Sequence, residues 1–260
     1  MTGKAQRGAI AAAPYLFTIV FFVLWEAACR LFKIPVFFLP APSVIAQAGI
    51  EYWSQLLFHS FHTLWMTVAG FAIAVVFGIL LGIALGASRI VNAGSQPLLV
   101  GFNAIPKVAV VPILILWFGV GWIPPVMTAF LISFFPIVVN VATGIATVEP
   151  ELKDVLRALG ARNRDIIWFI GIPRSLPYYF ASLKIAITFA FVGSIVSENV
   201  AANSGIGHLM TVASSRFEVP LAFAALFVIA LMGVLMYVLT AMVEKRMTAW
   251  SVRGTHLAAG

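Results

Sequence analysis

The chain predicts an all-α integral membrane protein of about six transmembrane helices, and three observations carry that reading. Of its 260 residues, 62% are hydrophobic and only 10% charged, with a mean hydropathy of +1.05; a water-soluble globule is not built this way. Six apolar windows recur near residues 13–32, 61–88, 94–118, 122–146, 176–203 and 217–243, and about 20 apolar residues suffice to cross a bilayer core. The charge is gathered rather than spread. Ten of the sixteen Lys and Arg and nine Asp and Glu fall between Glu149 and Lys184. Residues 1–260 therefore read as a single transmembrane domain with a cytoplasmic loop at 147–175.

The first window follows Lys4 and Arg7 and reads as an uncleaved anchor, because Glu26-Ala27-Ala28-Cys29 lacks the small-residue spacing of a cleavage site. Cys29 is the only cysteine, which excludes an intrachain disulfide. Pro35, Pro40 and Pro42 break the next stretch into an outer loop over 33–60, with a helix expected after Ser43 as N-cap. The second span carries Gly70, Ala74, Gly78, Gly82 and Gly86 at every fourth position. Such a stripe admits a close neighbour, either a helix of the same chain or a second subunit. In the third span Pro106 interrupts the helix pattern beside Lys107. That lysine either offers a positive charge to a passing anion or caps a helix end. The turn Gly119-Val120-Gly121-Trp122, with Pro124-Pro125, leads into the fourth span and its Asn140. In the fifth, Ser194, Ser197, Glu198 and Ala201 follow i, i+3, i+4, i+7 and share one small, polar face. A carboxylate at mid-membrane costs roughly 2.5–3.5 kcal/mol on insertion scales, so Glu198 must face protein or water. It either lines a permeation path or bonds a neighbouring helix or the Ser204-Gly205-Ile206-Gly207 loop.

Six spans place both termini on one side. With termini inside, the inner segments hold Lys4, Arg7, Arg89, Lys153, Arg157, Arg162, Arg164, Arg174, Lys184, Lys245, Arg246 and Arg253, against Arg30, Lys33 and Arg216 outside. The excess of basic residues marks the cytoplasmic side. It also accounts for the net charge of +7 without invoking nucleic acid.

The cytoplasmic island spells EPELKDVLRALGARNR from Glu149. Pro150 suits a first helical position, and Glu149 and Glu151 favour the positive end of a helix dipole. Leu152, Val155, Leu156 and Leu159 make one apolar stripe, with Asp154 and Arg157 off it, and Gly160 is the expected stop. Asn163 is expected to cap a second short helix running towards Gly171. An amphipathic helix of this kind either plugs a groove on another protein or lies on its own membrane surface.

The run Asp154-Val155-Leu156-Arg157-Ala158-Leu159-Gly160-Ala161, followed by Ile172-Pro173, resembles the "EAA" loop of permease subunits of bacterial ABC importers. Further matches point to the nitrate/sulfonate/taurine-type branch. They are Leu39-Pro40-Ala41-Pro42-Ser43, Ile105-Pro106-Lys107-Val108-Ala109, Leu116-Trp117-Phe118-Gly119, Phe134-Phe135-Pro136-Ile137, Ser197-Glu198 and Ser204-Gly205-Ile206-Gly207. Asp154 stands where the loop usually has Glu, Val155 and Leu156 replace its two alanines, and Lys184 stands where many relatives have Arg.

The resemblance implies a non-catalytic subunit forming half of a translocation path, with a second permease subunit (a homodimer being the expected case) and a dimer of cytoplasmic ABC ATPases. Leu152, Asp154, Val155, Leu156, Arg157, Leu159, Gly160, Ala161 and Pro173 would form the ATPase-coupling segment. Ser194, Ser197, Glu198, Asn140 and Lys107 are candidates for the path. An extracytoplasmic solute-binding protein would deliver solute at the outer loops, in the inner membrane of a bacterium, with both termini cytoplasmic. The branch implies a nitrate-, sulfonate- or taurine-like anion; the same architecture also carries thiamine pyrimidine precursors or other small heterocycles. An ATP-independent secondary transporter and a membrane scaffold are the readings from other classes. No G-x-x-x-x-G-K-[ST] loop is present, so ATP belongs to a partner and the chain needs no cofactor. His59, His62, His208 and His256 form no metal-ligand set, and no hydrolytic triad is spelled.

Overall fold

The computed structural model describes residues 2–147 and 150–247, and every regular element among them is helical. In chain order these are α1 (Thr2–Leu31), α2 (Pro42–Glu51), α3 (Trp53–Ala87), α4 (Arg89–Ala104), a 3-10 turn (Lys107–Val110), α5 (Val111–Phe118) and α6 (Ile123–Ala146). They continue with α7 (Pro150–Ala158), α8 (Asn163–Ile166), a π turn (Ile167–Gly171), α9 (Ile172–Ala201), α10 (Ile206–Ser215) and α11 (Val219–Met247). Glu149 and Arg253, counted among the charges above, lie outside the described residues.

α6 is the centre of the bundle, packed between α3 and α9. The four-residue stripe of α3 lies against it. A Cβ on Gly78 would sit 2.7 Å from Ile137 Cγ2, one on Gly82 would sit 2.6 Å from Val141 Cβ, and one on Gly86 would sit 2.7 Å from Ile145 Cβ. Gly70 approaches the Val126 carbonyl and Ala129 in the same way, and Ala74 is fully buried. The stripe therefore serves packing within this chain. On the other side of α6, Gly144 meets Ser175 and Gly193 meets Thr128, Ala129 and Ile132, all on or against α9. Between helices in lipid there is little hydrophobic gain, so close van der Waals contact has to supply the cohesion.

The two ends of the bundle differ. At one end α2, the start of α3, α10 and the start of α11 share a core of Ile45, Leu56, Ile206, Leu209, Ala213 and Leu221. At the other end α7 and α8 project beyond the bundle. The ion pair of Lys184 with Glu244, 2.6 Å, ties α9 to α11 towards that end. Lys184 and Arg174 thus lie inside α9 and not in a loop.

Among the described residues, five helices are long and apolar enough to span a membrane: Ala12–Leu31, Trp53–Ala87, Ile123–Ala146, Arg164–Ala201 and Val219–Met247. The expected third span, 94–118, is not one helix. It is broken into Ile90–Ala104 and Lys107–Phe118, bent by 80°. The break falls at Pro106, which supplies no N–H and disfavours the helical conformation of the residue before it; Ile105 is extended, at φ −68° and ψ 124°. The pair nonetheless makes one passage. It leaves α3 where Gly86 meets Ile145, near the C-terminus of α6, and returns at Gly121, whose N–H donates to the Ala201 carbonyl at the opposite end (2.8 Å).

Other boundaries move too. α3 begins at Trp53, eight residues before the expected 61, taking helix from the expected outer loop. The expected loop 147–175 ends near 163, because α8, the π turn and α9 run on as one apolar helix from Arg164 to Ala201. Pro173 falls nine residues into that continuous helix, just after the π turn, whose last bond runs from the Ile172 N–H to the Ile167 carbonyl. Ser43 is not the N-cap of α2; Ala41 is. Ser43 is instead held by α1, its N–H and Oγ donating to Glu26 Oε2 and Oε1 at 3.0 and 2.8 Å, with Arg30 Nε on Oε1 at 2.6 Å. A carboxylate from another helix thus does the capping expected of the serine hydroxyl.

Replacing Gly82 by leucine should destabilise the detergent-purified chain by about 1–3 kcal/mol, the cost typical of overpacking, read as a lower melting temperature. Gly94→Ala, where a Cβ meets nothing within 4 Å, should be neutral or slightly stabilising in the same thermal melt.

Candidate functional site: a coupling helix and a buried clasp

At the projecting end, α7 has the expected amphipathic pattern. Leu152 and Leu156 are half-buried, while Val155 and Leu159 are 57% and 78% exposed. The helix ends as Gly160 predicted. Gly160 adopts φ +89°, its N–H donates to the Arg157 carbonyl (2.9 Å), and the Ala161 N–H reaches the Leu156 carbonyl (2.9 Å). That pair of bonds is a Schellman closure, and only a glycine adopts this φ without strain. Asp154 pairs with Arg157 at 3.3 Å on the exposed side. The start of α8 differs from expectation. Asn163 is the first helical residue rather than the cap, and Asp165 Oδ2 reaches back to accept the Arg162 N–H at 2.9 Å. Just beyond, Trp168 and Phe169 are 61% and 79% exposed. The apolar stripe and this aromatic pair are left uncovered by the described part of the chain.

At the opposite end the structure brings together residues far apart in sequence. Glu198 of α9 is fully buried. Its Oε2 accepts from Thr63 Oγ1 of α3 (2.9 Å) and from the Gly207 N–H at the start of α10 (3.0 Å). Thr63 Oγ1 in turn accepts the Ile206 N–H (2.8 Å), and His59 Nδ1 accepts the Gly205 N–H (3.2 Å). Three consecutive backbone donors are thus met by three side chains from two helices. Helix N-termini leave such donors unpaired, and burying them unmet costs about 1–3 kcal/mol each. Gly205 has φ +113°, and a Cβ there would collide with the Glu198 carboxyl. So Glu198 bonds the 204–207 loop and is fully buried in this conformation. The sequence does not single out Thr63, and it offers His59 only as a metal ligand to be set aside, because nothing local marks a threonine or histidine as the partner of a loop some 140 residues away.

The other path candidates lie on α9, on α6 and in the 3-10 turn. Ser194 and Ser197 are fully buried on the face of α9 that carries Glu198, and their hydroxyls find no partner among the described residues. Asn140 is half-buried and donates to the Pro136 carbonyl one turn back (2.8 Å). Lys107 Nζ donates to the Asn103 carbonyl (2.6 Å) and Oδ1 (3.2 Å) and lies 5.5 Å from the centre of the Phe102 ring. It caps the last turn of α4, where the helix dipole favours a cation.

Glu198→Ala should destabilise the purified chain by about 1.5–3 kcal/mol, since it strands the Gly207 N–H and the Thr63 hydroxyl. Glu198→Gln, whose amide oxygen still accepts, should recover part of that loss in the same thermal melt.

The sequence comparisons bear directly on these two ends. Residues 74–249 match the model of the family described as "Binding-protein-dependent transport system inner membrane component". The formylaminopyrimidine transport permease ThiX of Halalkalibacterium halodurans is 31% identical, over 94% of this chain and 98% of that protein. The riboflavin transport system permease RibX of Chloroflexus aurantiacus is 33% identical, over 88% and 86%. The taurine transport system permease TauC of Escherichia coli is 26% identical, over 89% and 86%. Among solved structures, a chain of the MetNI methionine ABC transporter in an inward-facing crystal form aligns with a TM-score of 0.66 at 18% identity, covering 75% of this chain and 97% of its own. With the six passages, the projecting amphipathic helix and these matches in hand, the chain belongs to the binding-protein-dependent transport system inner membrane component family, the permeases of ABC importers.

Proposed function

We propose that this permease forms half of the path of a bacterial inner-membrane importer, with α7 and both termini in the cytoplasm and α2 and α10 on the outer side. A dimer of ABC ATPases docks at α7 and binds the ATP. A second copy of the chain completes the path, and a solute-binding protein delivers over α2 and α10. The observation that carries this reading is the apolar stripe of α7, exposed at Val155 and Leu159, closed by Gly160 and followed by the continuous helix Arg164–Ala201. A stripe left uncovered in water needs a partner groove. A continuous helix that begins four residues after Gly160 carries that partner's motion into the membrane.

For the solute we infer a small heterocycle rather than a nitrate-, sulfonate- or taurine-like anion. Two relatives above 30% identity are named for formylaminopyrimidine and riboflavin, and the taurine permease stands at 26%. Lys107, the cation an anion would meet in the third span, already caps α4 through Asn103.

Two measurements test this. Pull-down of the solubilised wild type from its host should recover an ATPase, and the Leu156→Asp, Gly160→Pro double variant should lose it. Recovery of no ATPase by the folded wild type would move a secondary carrier or a scaffold to the front. In whole cells, deleting the gene should reduce uptake of labelled pyrimidine or flavin at least tenfold and leave taurine uptake unchanged; the reverse pattern would restore the anion.

A further inference from the structure

The importer reading leaves open how an event at the α2 and α10 end reaches α7. We propose that His59, Thr63 and Glu198 form a clasp that makes α10 and α9 move together, and that Thr63 is the positioning residue on which this coupling depends. The inference rests on the function proposed above.

α10 has two faces. Ile206, Gly207, Leu209 and Ala213 are buried, while Thr211, Ser214 and Ser215 are exposed. A binding protein arriving at this end meets that polar face. α10 is tied to α9 twice, at its buried start by the Gly207 N–H donating to Glu198 Oε2 (3.0 Å) and on its exposed side by Thr211 Oγ1 donating to Asn199 Oδ1 (3.3 Å). Thr63 closes the arrangement from α3. Its hydroxyl donates to Glu198 at 2.9 Å and accepts the Ile206 N–H at 2.8 Å, so one oxygen locks three segments. Glycines at 205 and 207 let the loop approach the carboxylate; a Cβ at Gly207 would lie 2.8 Å from Asn199 Oδ1 and 2.9 Å from the Ile195 carbonyl. There is little room for α10 to shift without Glu198 following.

From Glu198 the helix runs back to Arg164 without a break, about 1.5 Å per residue, and emerges beside α7. The π turn Ile167–Gly171 lies at that emergence, and such turns often mark functional positions. Movement of α10 is therefore delivered by α9 to the segment that meets the ATPase. A buried hydrogen-bonded joint of this kind transmits displacement because it has few alternative arrangements.

The test uses the complex of this permease with its co-purified ATPase in liposomes, with the host's binding protein added together with the solute it carries on purification. ATP hydrolysis is measured with and without that protein. Thr63→Val keeps the shape and removes the hydroxyl; Thr63→Ser keeps the hydroxyl. The clasp predicts that Thr63→Val retains basal hydrolysis within twofold but loses at least fivefold of the stimulation, and that Thr63→Ser restores it. Stimulation retained in Thr63→Val overturns the clasp alone. So does a fall of basal and stimulated rates in equal proportion with a lowered melting temperature, which marks a merely structural bond. A wild type that shows no stimulation overturns the importer reading and the clasp with it.

Discussion

Everything in this bundle hangs on the close approach of α3 to α6. In a bilayer an apolar side chain gains nothing by leaving lipid for protein, so helices must come near enough for dispersion and fit to hold them. At Gly78 and Gly82 the missing side chains leave room for Ile137 and Val141. That seats α6 at the centre, with α9 on its other flank at Gly144 and Gly193. Once those three helices are fixed, Thr63 stands opposite Glu198, and the start of α10 falls between them.

The same shortage of water explains the polar bonds. Helix ends leave backbone groups unpaired, and where water is short they need partners from the protein. Glu26 serves the start of α2, Lys107 the end of α4, and His59, Thr63 and Glu198 the start of α10. Each partner comes from a different part of the chain or from across a break, so each bond also fixes tertiary geometry. The broken third passage belongs here too. Pro106 opens the helix, and Lys107, next in sequence, closes the carbonyl of Asn103 that the break would leave bare.

Much of the fold was legible in the sequence, because lipid imposes length and polarity on each span and the positive charge marks one side. The four-residue stripe, the Gly160 stop and the apolar face of α7 follow from local geometry alone: helical period and the φ that only glycine tolerates. What the sequence by itself determined was therefore the class, the six passages, the amphipathic helix α7 and the family. The boundaries and the purpose of the polar residues were decided by tertiary structure. Nothing near Ser43 announces Glu26, nothing near Gly205 announces His59, and nothing in residues 164–175 reveals that they extend the helix of the fifth span. Glu198 remained open between path and bond for the same reason. Its chemistry suits both, and the bond it makes comes from the position of Thr63 and of the Gly207 amide, fixed by how α3 and α9 pack around α6.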